Sequence, residues 1–352
     1  MRSLIILAAV LLSTVGKLAC AELPAVIRIG IAGVGVGNRP YSGGATVSIV
    51  HACGLLEKEF NGTGIKVDWI FYKGAGPAVN EAIADGQLDF ALQGDLPAIV
   101  GRAGGLKTKL LVASGGYANT YLAAPTGSQI RKIEELRGKT VASFKGTNLE
   151  LAAARILAQA GLAENDLNLL NLDNASIKAA LAAKQVDAGF GQLDLLMLRD
   201  QYLVTIPYTT KGQSLRLTRQ AHLLVTEDFN EKYPAIVDRL VKVVVGAAYW
   251  ASLEQNRHQV FTIWSKVGIP ANYFAEDYKG DSMKLRDSPL FNQFMIDRYE
   301  AAAAEALNFN LVREKVDVAS WIDPGPMNAA LTSLHLQNYW PQLNQDGLPA
   351  NS

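Results

Sequence analysis

From Ile27 onward the chain keeps changing period. Short runs rich in β-branched residues give way, again and again, to segments whose apolar residues recur every three or four places. Ile27–Ile31 reads as a strand, Thr46–Phe60 as a helix and Lys66–Phe71 as a strand. Pro77–Asp85 reads as a helix opened by its proline, Asp89–Leu92 as a strand, Ala98–Ala103 as a helix and Lys109–Ala113 as a strand. Such alternation predicts an α/β fold, a parallel sheet with helices on both faces. After the glycine-rich break Ser114–Asn119 and the run Tyr121–Ala124 the cycle restarts. Its units are Lys139–Ser143 with helix Leu149–Ala160, Leu167–Leu172 with helix Ser176–Ala183, and Val186–Phe190 before the turn Gln192–Asp194. Leu215–Thr226 reads as one long strand, and Glu231–Val267 and Ser288–Leu307 as helical. A chain of 352 residues is too long for one ordinary core. The expectation is two doubly wound α/β lobes, 22–120 and 121–214, with 215–352 returning as a helical tail packed on the first.

Two places in this pattern run a strand end straight into a helix start. One is Ser143-Phe144-Lys145-Gly146-Thr147-Asn148-Leu149-Glu150; the other is Gln93-Gly94-Asp95-Leu96-Pro97. A helix that begins there leaves its first N–H groups unpaired beside the positive end of its dipole, which suits an anion. Gly146 admits a close backbone approach, Thr147 and Asn148 offer short polar side chains, and Lys145 brings a charge. The alternative is ordinary capping: Thr147 or Asn148 as N-cap of one helix, Asp95 as N-cap of the other, and Glu150 complementing the dipole.

Residues 1–21 read as an export signal. Arg2 is followed by the apolar run from Leu4 to Val15, and Ala19-Cys20-Ala21 fits cleavage before Glu22. A lipid anchor through Cys20 is the weaker alternative, because Lys17 stands where an aliphatic residue is wanted. No later apolar run is long enough to span a bilayer. The chain carries 33 basic and 33 acidic residues, a balance that gives no reason to expect nucleic acid as a partner. Cleavage leaves Cys53 alone, so neither an intramolecular disulfide nor a cysteine metal site is expected. The glycine-rich loop after the first strand fails as a dinucleotide fingerprint, since Asn38 occupies the place of the third glycine. That loop instead offers Arg39, Tyr41 and Ser42; Arg39 is either an anion contact or a solvated charge. His51, His222, His258 and His335 fall in no hydrolase or metalloprotease motif.

The order of motifs resembles the type II periplasmic solute-binding proteins, and within them the nitrate, sulfonate and taurine receptors of ABC importers. The segments that carry it are Ile27–Gly33, Leu55-Leu56-Glu57-Lys58, Gly76-Pro77 with Asp85–Asp89, and Gly94–Pro97. They continue with Ile133–Lys139, Lys145–Asn148 and Ala180–Asp187, in family order over roughly residues 27–230. The resemblance implies a hinge between the lobes and a ligand cleft at the carboxyl ends of strands. Carried over, Tyr41, Ser42, Gln93, Gly94 and Asp95 come from the first lobe, and Thr147, Asn148, Gln192 and Asp194 from the second. It also implies a monomeric periplasmic receptor that closes on a small anion, sulfonate-like, nitrate-like or a carboxylate, and delivers it to an inner-membrane permease without cofactor or metal. Two departures from the sulfonate-type pattern touch this pocket. The loop Val34–Gly44 is longer, and Gln192-Leu193-Asp194-Leu195 replaces an aromatic-Asp-Pro cluster. A sensor feeding a signalling partner uses the same closure and stays open as an alternative. So does an enzyme on this fold, with Asp95, Glu150 and Asp194 as its acid-base group.

Overall fold

The computed structural model describes residues 23–349, and the expected export signal lies outside the described residues. Two five-stranded sheets form. The first has the order β2-β1-β3-β10-β4, from β1 (Val26–Ile31), β2 (Lys66–Phe71), β3 (Phe90–Gly94), β4 (Thr108–Ala113) and β10 (Ala221–Thr226). The second is β7-β6-β8-β5-β9, from β5 (Tyr121–Pro125), β6 (Thr140–Ser143), β7 (Asn168–Asn171), β8 (Ala188–Gly191) and β9 (Val204–Thr209).

The sheets are mixed rather than wholly parallel. β1 runs parallel to β2 and β3, and β6 parallel to β7 and β8, as helical crossovers require. β10 is antiparallel to β3 and β4, and β5 to β8 and β9. Both exceptions are the first strands reached after the chain passes from one lobe to the other, so they enter their sheets from the opposite end. The two passages lie side by side: Ala118 and Arg219 exchange backbone hydrogen bonds of 3.0 and 2.9 Å, and Thr210 N–H donates to Thr120 C=O at 3.0 Å.

Three other expectations change. The helix over Thr46–Phe60 is broken into Thr46–Ala52 and Leu55–Glu59, because Gly54 takes a left-handed φ of 61°. The long strand over Leu215–Thr226 is strand only from Ala221; Leu215–Leu217 is a 3-10 turn and Thr218–Gln220 belongs to the passage between lobes. β9 and the helix Leu195–Asp200 are additional elements.

The first sheet is sandwiched by helices from the end of the chain. Ile27, Ile29 and Ile31 face a core shared with the helix Pro234–Ser252, while Ala91, Leu110 and Leu224 face one shared with the helix Gln293–Asn308. The second sheet has its own two cores. Its helix Asn148–Gln159 is buried on two sides. Leu149, Ala153, Ile156 and Leu157 enter the second lobe's core, but Leu151 is wholly buried in the first lobe's. Burying one leucine is worth about 1.5–3 kcal/mol, so this contact ties the lobes together. Among the described residues no helix is long and apolar enough to cross a membrane.

Candidate ligand cleft between the lobes

Loops at the carboxyl ends of strands from both sheets enclose a cavity of about 570 Å³. The first lobe supplies the segment after β1 and the end of β3. The second supplies the end of β6, the start of the helix Asn174–Ala182 and the turn after β8. The helix Ala271–Asp277 and Tyr278 close a further side.

Of the residues expected here, Ser42, Gln93, Gly94, Thr147, Asn148, Gln192 and Asp194 line the cavity. Ser42 shares a hydrogen bond of 2.8 Å with Ser48. Gln93 is buried; its amide donates to Asn80 Oδ1 at 3.3 Å, leaving Oε1 without a protein partner. Gly94 leaves room for Asn148, since a Cβ at Gly94 would stand 2.7 Å from that of Asn148. Asp194 is held by Lys178 at 2.6 Å.

The other five stand elsewhere. Arg39 is exposed. Tyr41 turns away to pack on His51, ring centroids 5.3 Å apart, with Lys266 over its face. Asp95 is the first residue of its helix rather than the N-cap, which is Gly94. Its carboxylate is buried behind the cleft, accepts from Leu96 N–H at 2.8 Å and approaches Arg155 to 4.0 Å. Burial raises its pKa above the ordinary carboxylate value, against the pull of Arg155. Lys145 leans outward onto Glu164 at 3.0 Å. Gly146 is absent from the lining because its N–H is already spent on Glu150 Oε2 at 2.6 Å.

The helix start at Thr147 is therefore self-capped. Thr147 Oγ1 accepts from Leu149 N–H at 3.2 Å and donates to Phe144 C=O at 2.7 Å. Asn148 reaches across the cleft instead. Its Nδ2 donates to Gln220 C=O at 3.2 Å, and its Oδ1 accepts from Arg219 Nη1 at 3.4 Å.

Arg219 is the residue that sequence reasoning missed. It lies on the passage between lobes, 5 % exposed, with Nη2 donating to Asn119 C=O at 2.7 Å and Nε without a protein partner. The cavity lining carries four cations and three carboxylates. Lys73 is 3.7 Å from Asp173, Lys178 is 2.6 Å from Asp194 and Arg286 is 3.1 Å from Asp277. Among the described residues Arg219 alone of the four has no carboxylate within ion-pair distance. Burial lowers its pKa to about 10, which leaves it charged at neutral pH. The signal that could have found it is the sequence Thr218-Arg219-Gln220: three polar residues inside a supposed core strand.

A two-lobed α/β protein with a mixed sheet in each lobe, two hinge passages and a polar cleft between the lobes is defined by this geometry. The chain belongs to the family described as NMT1/THI5 like, whose model matches residues 59–256, more than half its length. It is 25% identical over 280 residues to the "Putative aliphatic sulfonates-binding protein" of Bacillus subtilis (strain 168), covering 77% of this chain and 80% of that one. It is 32% identical over 183 residues to the protein of the same description from Escherichia coli (strain K12), covering 49% of this chain and 54% of that one. Among solved structures it is similar to the "putative sulfonate ABC transporter, periplasmic sulfonate-binding protein SsuA" of Methylobacillus flagellatus KT. That similarity has a TM-score of 0.78 and 29% identity, and covers 90% of this chain and 97% of that one.

Proposed function

We propose that this chain is the extracytoplasmic receptor of an ABC importer, which captures a small organic anion by closing its lobes and presents it to a permease in the inner membrane. The observation that carries this is Arg219: a buried guanidinium facing the cleft with no carboxylate of its own. A buried charge is costly until it is paired, so an anion entering the cleft supplies the missing partner. Asn148, Asn119 and Gln93 surround that place with amide NH2 groups, and the second N–H of each, beyond the bond to Gln220, Asp277 and Asn80, is a donor for sulfonate or carboxylate oxygens. The sulfonate-binding descriptions of the relatives favour a sulfonate. A cavity of about 570 Å³ suits a molecule larger than nitrate, since ligand pockets of roughly 300–1,000 Å³ hold drug-sized molecules.

Binding is favoured over turnover because Asp173, Asp194 and Asp277, the carboxylates of the lining, each lie beside a cation. Each is thus occupied as an ion-pair partner within the protein. Asp95 and Glu150, the other members of the expected acid-base group, stand outside the lining. Periplasmic location and a monomeric state belong to the same proposal.

The test is a thermal-shift and calorimetric screen of the mature chain against ethanesulfonate, nitrate, bicarbonate and benzoate. One of the organic anions is expected to stabilise the protein, to be recovered unchanged after incubation, and to lose its effect in Arg219→Met. Turnover of the ligand, or an undiminished shift in that variant, overturns the proposal.

A further inference from the structure

The helix Asn148–Gln159 starts at the cleft and runs away from it along the first lobe. Asn148, Leu151 and Arg155 are spaced three and four residues apart, so they share one face. Asn148 meets the passage between lobes, and the other two meet the first lobe. Asn148 binds the Gln220 carbonyl, Leu151 is wholly buried in the first lobe's core, and Arg155 enters a pocket formed by the helices Asp95–Ala103 and Gln293–Asn308. There the Arg155 Nε–H donates to Glu305, and Nη1 lies 4.0 Å from Asp95 Oδ2. Arg155 is 7 % exposed and so is Arg298, a second cation of the same cluster that repels Arg155 and is attracted by Glu305 and Asp95. Neither Leu151 nor Arg155 lines the cavity.

We propose that Leu151 and Arg155 are positioning residues for ligand capture: a latch on the back of the ligand-facing helix that engages the first lobe when the lobes close. Three features support it. The Leu151 and Arg155 contacts join helices of opposite lobes, not the hinge passages, so rotation about those passages moves them apart. The latch residues and Asn148 are fixed on one rigid helix, so engagement of Leu151 and Arg155 sets Asn148 over Gly94 and beside Arg219. The contact is also of mixed character. A leucine supplies attraction indifferent to direction, whereas the arginine meets the Glu305 acceptor through Nε and the Asp95 charge through Nη1 only in this orientation, with Nη1 and Nη2 making no hydrogen bond. The latch therefore favours one closed arrangement rather than a range of them. It rests on the proposed role as a receptor for its purpose, but its existence can be read without any ligand.

The experiment measures the distance between lobes by pulsed electron paramagnetic resonance on the full mature chain. Spin labels are placed at exposed Glu81 and Gln185 after Cys53→Ala. Distributions are recorded for the parent, Leu151→Ala, Arg155→Gln and Arg155→Lys, without ligand and with millimolar ethanesulfonate. The latch predicts that Leu151→Ala and Arg155→Gln lose the short-distance population, while Arg155→Lys restores part of it. It further predicts that affinity for ethanesulfonate falls about tenfold in the first two, mostly through faster dissociation. Circular dichroism identifies a variant that has failed to fold, in which case Leu151→Val gives the reading. Distributions that coincide across all variants in both conditions overturn the latch. A shift caused by the substitutions together with indifference to ethanesulfonate in every protein upholds the latch and counts against the sulfonate reading of the cleft.

Discussion

The junction at Gln93–Pro97 and the junction at Lys145–Glu150 have the same design, a strand that ends and a helix that begins, yet the structure uses them in opposite ways. In the first lobe the side chain before the turn faces the cleft: Gln93 is buried there with a free acceptor, while the charged Asp95 points back into the protein. In the second lobe the residues before the turn are consumed locally, Lys145 by Glu164, Gly146 by Glu150 and Thr147 by its own helix. Thr147 and Asn148 both line the cleft, but only Asn148 reaches beyond its own lobe, to Gln220 and Arg219 on the passage between lobes. A free helix terminus is an anion site only if nothing in the chain reaches it first, and here Glu150 and Thr147 do. The positive charge comes instead from a third place, Arg219 on the passage between lobes.

This contrast can be broken by substitution. Arg219→Met has the largest expected effect, a loss of about a hundredfold or more in affinity for the organic anion by calorimetry. That matches one or two charge-assisted hydrogen bonds at about 1.5–3 kcal/mol each. Retained affinity would return the anion site to the helix terminus. Asn148→Asp comes next, at about tenfold, because a carboxylate at that position pairs with Arg219 and competes with the ligand. Gln93→Leu keeps the side-chain volume but removes the amide N–H that remains for the ligand, and a loss of about threefold is expected, near the low end for a neutral hydrogen bond. Lys145→Ala should leave affinity unchanged and cost less than about 0.5 kcal/mol in chemical denaturation, as for exposed ion pairs generally. A drop in affinity in that last variant would bring Lys145 back to the ligand.

How far these features were legible follows from their range in the chain. The alternation of periods carried the two lobes and the strands that run parallel, because β–α–β order is a local pattern with few packings. It could not carry the reversed direction of β5 and β10, which depends on where the chain enters a sheet after leaving the other. Seven of the twelve expected site residues line the cavity, since they follow from strand ends. Arg39, Tyr41, Asp95, Lys145 and Gly146 do not, and in the last four the cause is a partner in the chain: His51, Arg155 and Leu96, Glu164, and Glu150. Arg219 was hidden by reading Leu215–Thr226 as one strand. The apolar residues on either side carry a strand's hydrophobicity, which masks the three polar residues between them as an interruption.

The pairing of the two passages through Ala118 and Arg219 has a kinetic consequence. When two bodies swing about a pivot, points on the pivot travel least. The one lining cation without a carboxylate partner among the described residues, Arg219, sits there, whereas Asn148 and Asp194 ride on the moving arm. An anion can thus meet its main charge partner before the arm arrives, so its rate of arrival is set by diffusion and electrostatic attraction, and its time of residence by how often the arm swings back.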